Sequence, residues 1–254
     1  MILVVDVGNT NIVSAIYDND KLCFLFRCKT EKEEVLMNYT NKIKDIFEKN
    51  SLDIKNIDGA IISSVVPMIN QTLNDVIFKF SGCKAKVLDS SFETGLSICT
   101  DNPEKVGSDI LCGAAKAFDK YKTSVIVFDF GTANTVCAVD NHGNYLGHSI
   151  CPGIWTSFRA LSEFTAKLPM IDTIPDNMDV IGKNTADSIR SGVVLGTACF
   201  VDGMVKKYKK ILGDDARVVA TGGLARVILP HCETDVDYEE NLLLDGLRFL
   251  YGLN

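Results

Sequence analysis

The sequence predicts an α/β fold made of two similar halves, each with a mixed sheet and flanking helices. Three observations lead there. Apolar runs of strand length alternate with longer stretches of helical periodicity. Each half opens with three successive strand-like runs before its first helix, which implies antiparallel pairing beside crossover-connected parallel strands. One short pattern also occurs twice. Asp6-Val7-Gly8-Asn9-Thr10-Asn11 follows the run Ile2–Val5, and Asp129-Phe130-Gly131-Thr132-Ala133-Asn134-Thr135 follows Val125–Phe128, 123 positions later.

Taken in order, the first half has expected strands at 2–6, 11–17 and 21–28. A helix is expected over 32–50, where Val35, Leu36, Ile43, Ile46 and Phe47 keep helical spacing. A strand at 59–63, a helix at 67–81 and a strand at 86–89 follow. Pro67 suits a first helical turn, where its missing N–H costs nothing. Leu88 to Ala117 connects the halves, with a turn at Asn102-Pro103 and a helix from about Gly107. The boundary is set near residue 118, giving domains 1–117 and 118–254. The second half repeats the order: strands at 124–129, 134–139 and 144–150, with Asn141-His142-Gly143 as the turn joining the last two. Helices are expected over 154–167, 185–212 and 239–250, and a strand at 217–221 runs into Thr221-Gly222-Gly223.

Composition excludes several classes. The chain has 254 residues, 46% hydrophobic and 23% charged, enough for a packed core. A net charge of −7 argues against a general nucleic-acid surface. The cluster Lys206-Lys207, Lys209-Lys210 reads as a solvated helix end. No apolar run approaches the roughly 18 residues of a membrane span. Met1 leads straight into a strand with no secretory leader pattern, so a cytoplasmic protein is expected. Nine cysteines form no CxxC pair, and the three histidines, His142, His148 and His231, form no zinc pattern. Cys23, Cys28, Cys99, Cys112, Cys137, Cys151 and Cys199 lie in apolar runs and read as small buried hydrophobes.

The chemistry-bearing residues cluster at the repeated pattern. A carboxylate at the end of a buried strand needs a partner, which a cation or held water supplies. Gly8 lets the backbone approach a ligand, and Asn9, Thr10 and Asn11 offer neutral donors to phosphate oxygens. A single Asp-x-Gly turn would merely close a hairpin; two, each opening a similar half, point to a nucleotide site and phosphoryl transfer. Asn102 to Asp109 opens a helix, where Ser108 or Asp109 is either the N-cap or, for Asp109, the base that takes a proton from an attacking hydroxyl. Pro152-Gly153 and Gly182-Lys183-Asn184-Thr185 are helix-start signals, and Trp155 and Phe158 read as core or interface. No GxxxxGK[ST], protein-kinase signature set or GxGxxG after a strand occurs.

Together these segments resemble the type III pantothenate kinases, members of the actin, sugar-kinase and Hsp70 ATPase superfamily. The similarity is carried by DVGNTN (6–11), SVVP (64–67), NPEKVGSD (102–109), DFGTANT (129–135), PG (152–153), TAKLP (165–169), GKNT (182–185) and TGG (221–223), and runs from Met1 to near Gly246. The resemblance implies two RNase H-like domains forming a cleft, and ATP-dependent conversion of pantothenate to 4′-phosphopantothenate, the first step of coenzyme A synthesis. It implies that Asp6, Gly8, Asn9, Thr10 and Asn11 hold Mg²⁺-ATP phosphates. Asp129, Gly131 and Thr132 would form the second phosphate loop near a monovalent cation, K⁺ or NH₄⁺. Asp109 would be the base; Gly107, Ser108 and Thr185 would contact pantothenate; Thr221, Gly222 and Gly223 would line the adenosine side. It also implies a homodimer, its surface on the second domain. Three positions depart from the family pattern: Ile110 where Arg is usual, Gly147-His148 where two glycines are usual, and Thr100 where an aromatic is frequent. All three lie on the acceptor side. Two alternatives therefore stand beside the kinase: a catalytically degenerate paralogue with a ligand-binding or regulatory role, and a related kinase with another hydroxyl acceptor.

Overall fold

The computed structural model describes residues 1–89 and 91–254, with the backbone alone for Glu34 and Leu36. The chain forms two compact units: residues 1–96, 101–116 and 241–254, and residues 97–100 and 117–240. The expected division assigned the last helix to the second half; it packs instead on strands of the first unit.

In the first unit, β1 (Ile2–Val7), β2 (Asn11–Asp18) and β3 (Lys21–Lys29) form an antiparallel meander. β4 (Gly59–Ser64) and β5 (Ala85–Val87) add in parallel, giving the order β3-β2-β1-β4-β5. Alternation sends successive side chains to opposite faces. Leu3, Val5, Val7, Ile12 and Ile62 pack with α2 (Thr40–Lys49) and α3 (Pro67–Ser81). Val4, Ala15, Tyr17 and Ile61 pack with α4 (Ser108–Tyr121), through Cys112 and Ala115, and with the last helix, Leu242–Leu253, through Leu244, Leu247 and Leu250. Asp6 shares parity with Val4, so its carboxylate lies on the α4 side of the sheet. The expected helix over 32–50 is interrupted: α1 (Lys32–Glu34) passes through a π turn, Val35–Tyr39, into α2. The side chain of Leu36, one of the positions that predicted this helix, lies outside the described residues.

The second unit repeats the order. β7 (Val125–Phe130), β8 (Ala133–Val139) and β9 (Asn144–Pro152) are antiparallel, and β10 (Arg217–Thr221) and β11 (Asp237–Tyr238) pair in parallel beside β7. The series β9-β8-β7-β10-β11 matches β3-β2-β1-β4-β5 strand for strand, with β6 (Ser97–Ile98) added outside β9. The short strands β6 and β11 were not expected; two residues carry no readable period. One core contains Ile126, Phe128, Phe130, Val136, Ile154, Phe158, Val194, Ala198 and Val201. α5 spans Ile154–Glu163, and the long helix expected over 185–212 consists of α6 (Thr185–Arg190), a π turn at Ser191–Leu195 and α7 (Gly196–Leu212). That helix, 28 residues, is long and apolar enough by length and composition to cross a membrane, contrary to the reading of apolar runs. Ile189, Val194, Ala198, Val201 and Val205 of this helix belong to the unit's core, and 33% of the apolar window is buried.

The cysteines correct the sequence reading in part. Cys28, Cys112 and Cys137 are buried, but Cys99 and Cys199 are exposed and Cys23 and Cys151 half-buried. An apolar neighbourhood in sequence does not fix which face of a helix or edge strand a thiol occupies.

Candidate active site

The site of the first unit is built where β1 and β4 end and α4 begins. Gly8–Thr10 join β1 to β2, and the Gly8 N–H donates to the Asn11 carbonyl at 3.0 Å. Thr30, just past β3, secures the turn: its hydroxyl donates to the Gly8 carbonyl at 2.7 Å and its N–H to the Thr10 carbonyl at 3.1 Å. Asn9, Thr10 and Asn11 stand exposed, so their side chains and turn amides can meet an anion. Asp6 is half-buried, with Ser63 of β4 as its parallel-strand partner.

At the head of α4 the Leu111 N–H donates to the Gly107 carbonyl at 3.1 Å, so Gly107 precedes the first turn and neither Ser108 nor Asp109 is the N-cap. The Ile110 N–H donates to Asp109 Oδ1 at 2.9 Å. A Cβ on Gly107 would fall 2.5 Å from that oxygen, so the carboxylate folds back over the glycine. Ser108 Oγ lies 2.9 Å from Ser63 Oγ. One turn on, the fully buried Cys112 thiol is pushed well above its ordinary pKa, first by burial and then by the charges of Asp6 and Asp109, against a hydrogen bond from Ser63. The two carboxylates therefore lie within electrostatic reach of one buried sulfur. Sequence reasoning named Asp6, Gly107, Ser108 and Asp109 but missed Thr30, Ser63 and Cys112. Ser63 alone left a signal, a hydroxyl on a strand face otherwise filled by Ile61.

The second unit's turn is one residue shorter: Gly131 and Thr132 alone join β7 to β8, and the Gly131 N–H donates to the Ala133 carbonyl at 3.2 Å. The Thr132 carbonyl accepts from the Gly153 N–H at 3.0 Å and the Thr156 hydroxyl at 2.6 Å. A Cβ on Gly153 would collide with the Gly131 carbonyl, which explains the glycine before α5. Thr221 is buried opposite Asp129 across β10 and β7. Gly222 has φ +94°, and a Cβ there would lie 2.6 Å from Asp129 Oδ1. Gly223 is exposed with open space around its Cα, so it is the member of this triplet with room for a ligand. The buried Cys137 thiol is pushed up to about 12, by burial first, with the Asp129 charge adding to it.

Elsewhere in this unit Asn184 caps α6, its side chain accepting from the Asp187 N–H at 2.9 Å, and Thr185 is the exposed first residue of that helix. A cavity of about 270 Å³ is lined by Pro175, Asn177, Met178, Asp179, Asp187 and Arg190. Arg190 donates to the Thr173 carbonyl at 3.0 Å and to Asp187 at 3.1 Å. Trp155 is 44% exposed while Phe158 is buried, so of the two only Phe158 is core.

Among the described residues no group of three His, Cys, Asp or Glu side chains forms a metal site. A magnesium ion needs no such cage when phosphates supply oxygens: one or two carboxylates and water complete its shell. Asp6, a carboxylate at a strand end beside an exposed turn, fits that role.

Fold and site define the class first. Two α/β units with mixed sheets, each opening on an Asp-x-Gly hairpin, form the architecture of the actin-like ATPases and sugar kinases. Among solved structures, a Campylobacter jejuni protein assigned to the Baf family of transcriptional activators aligns over 98% of this chain and 97% of its own (TM-score 0.62, 17% identity). The activator of 2-hydroxyisocaproyl-CoA dehydratase from Clostridium difficile, determined with bound ADPNP, aligns over 99% and 93% (TM-score 0.56, 14% identity). The family model for type III pantothenate kinase matches residues 2–207. A type III pantothenate kinase of Desulforapulum autotrophicum is 40% identical over 251 residues, 98% of this chain and 96% of that protein. The chain belongs to the type III pantothenate kinase family.

Proposed function

We propose that this chain uses ATP to phosphorylate pantothenate, giving 4′-phosphopantothenate at the first step of coenzyme A biosynthesis. Family membership supports the reaction, and one observation carries its assignment to residues: Asp109 stands in the first turn of a 14-residue helix, with Asp6 near the same buried thiol. Asp109 accepts the proton of the pantothenate hydroxyl, whose oxygen attacks the γ-phosphorus in line as ADP leaves. The helix N-terminus favours the ionised carboxylate that a base requires. Gly8, Asn9, Thr10 and Asn11 bind phosphate oxygens in the first unit, and Gly131 and Thr132 do so in the second. Asp6 would hold the Mg²⁺ that arrives with ATP, and the ion would supply charge neutralisation. Gly223, with Thr221 and Gly222 behind it, faces the adenosine side, and Gly107, Ser108 and Thr185 contact pantothenate. The finer reading adds a monovalent cation, K⁺ or NH₄⁺, near Asp129, a homodimer through the second unit and a cytoplasmic location, with neither nucleic acid nor membrane as partner.

Purified protein with ATP, Mg²⁺, K⁺ and pantothenate should form phosphopantothenate, detected by mass spectrometry. Product no greater than that of Asp109→Asn would sink the proposal. A second reading rests on Ile110, the half-buried apolar residue directly after the base, which offers no cation to an acceptor carboxylate. It predicts turnover with another hydroxyl acceptor, or ligand binding without turnover, and an acceptor screen on the same sample separates these outcomes.

A further inference from the structure

We infer that Ser63 is a positioning residue for the Asp109 base, acting through Ser108; the catalytic half of this inference rests on the function proposed above. Ser63 is 1% exposed, at the last turnward position of the buried face of β4. The residue two before it on that face is Ile61, fully buried against Cys112, Ala115 and the last helix. The face is apolar there, and a buried hydroxyl adds nothing to packing that an alanine would not provide. It has to be satisfied, and its partners say what it does.

Ser63 Oγ lies 2.9 Å from Ser108 Oγ, and the same hydroxyl counters part of the upward pKa shift of the buried Cys112 thiol. Those two residues flank Asp109: one immediately before it, the other a helical turn after it. The hydroxyl therefore holds the first turn of α4 at the residue directly before the proposed base. Its own strand partner is Asp6. Through the rigid β1–β4 pairing, the grip fixes the helix head relative to the residue proposed to hold Mg²⁺ and phosphate. Gly107 keeps the backbone clear, since its Cβ would strike Asp109 Oδ1. The carboxylate makes a local hydrogen bond to the Ile110 N–H, which orients it within the turn but not toward the sheet. The Ser63 contacts supply that missing registration. A base displaced by an ångström loses on the order of a hundredfold in rate, so a small loosening is measurable.

Ser63→Ala removes the grip with little change of volume. The parent and Ser63→Ala are compared in steady-state phosphorylation of pantothenate and in amide hydrogen exchange followed by mass spectrometry. We expect kcat to fall at least tenfold while the KM for ATP stays within about twofold, because the phosphate turn is untouched. Exchange at residues 108–112 should accelerate at least tenfold, with β1 and β2 amides unchanged. Ser108→Ala should produce a similar loss, and the double variant should be no worse than either single one, since both remove the same bond. A wild-type kcat in Ser63→Ala, additive losses in the double variant, or unchanged exchange at 108–112 would each overturn the inference. A global rise in exchange with a raised KM for both substrates would also overturn it, by showing a merely structural serine. A parent inactive on pantothenate defeats the proposed function instead; exchange at 108–112 then still decides whether Ser63 holds the helix head.

Discussion

The two Asp-x-Gly turns occupy equivalent places in matching sheets, yet they are supported differently. The Asp6 turn has three linking residues, is tied from outside by the single residue Thr30, and has a second carboxylate, Asp109, near its own. The Asp129 turn has two, and its carbonyls and carboxylate are pressed by Gly153 and Gly222, positions where a Cβ does not fit. A repeated topology thus has two kinds of support. The first turn stands by the proposed base, whereas the second is packed tightly into its unit, which suits the rigid phosphate loop proposed there.

The largest expected effect breaks the comparison at the first turn. Asp109→Asn keeps the fold, because the amide oxygen can still accept from the Ile110 N–H, but it removes the proposed base. The kcat should fall by about 10²- to 10⁴-fold with an unchanged melting temperature. Next comes the second turn, where the expected damage is to stability. Gly222→Ala combines a positive φ with a clash against Asp129 and the Phe130 backbone, so it should cost at least about 2 kcal/mol, read as a melting temperature lower by roughly 5 °C or more. Gly8→Ala, whose Cβ would sit 3.3 Å from the Asn11 carbonyl, should lose less than about 1 kcal/mol in the same melt. Equal losses at Gly8 and Gly222 would erase the proposed difference in support. Thr30→Val removes the 2.7 Å bond to the Gly8 carbonyl and should cost about 1 kcal/mol, accompanied by a KM for ATP raised a fewfold. The smallest effect sharpens the TGG segment: Gly223→Ala meets open space and should change stability by less than about 0.5 kcal/mol, leaving any change in the KM for ATP as the signature of ligand contact.

Much of this was legible in the chain. The hairpin strands announce themselves because three apolar runs separated by short polar turns carry a clear period, and Pro67 begins α3 where its missing N–H is harmless. The motifs at 6–11, 102–109, 129–135 and 182–185 could be read because each combines a special backbone with polar side chains in few residues. The acceptor side was the less legible part. Ile110 can be seen in the sequence, but what surrounds it depends on elements far away in the chain.

By itself, the sequence determined the α/β class, the duplicated hairpins, the family and the identity of the charged groups at the turns, since these follow from local periodicity and local backbone demands. Only the tertiary structure decided which glycines bear on Asp129, that the last helix returns to the first unit, which thiols are buried, and that Ser63 meets Ser108 beside Asp109. The physical reason is common to all four. Each depends on parallel pairing or helix packing between segments tens to hundreds of residues apart, and such contacts leave no period in the chain that makes them.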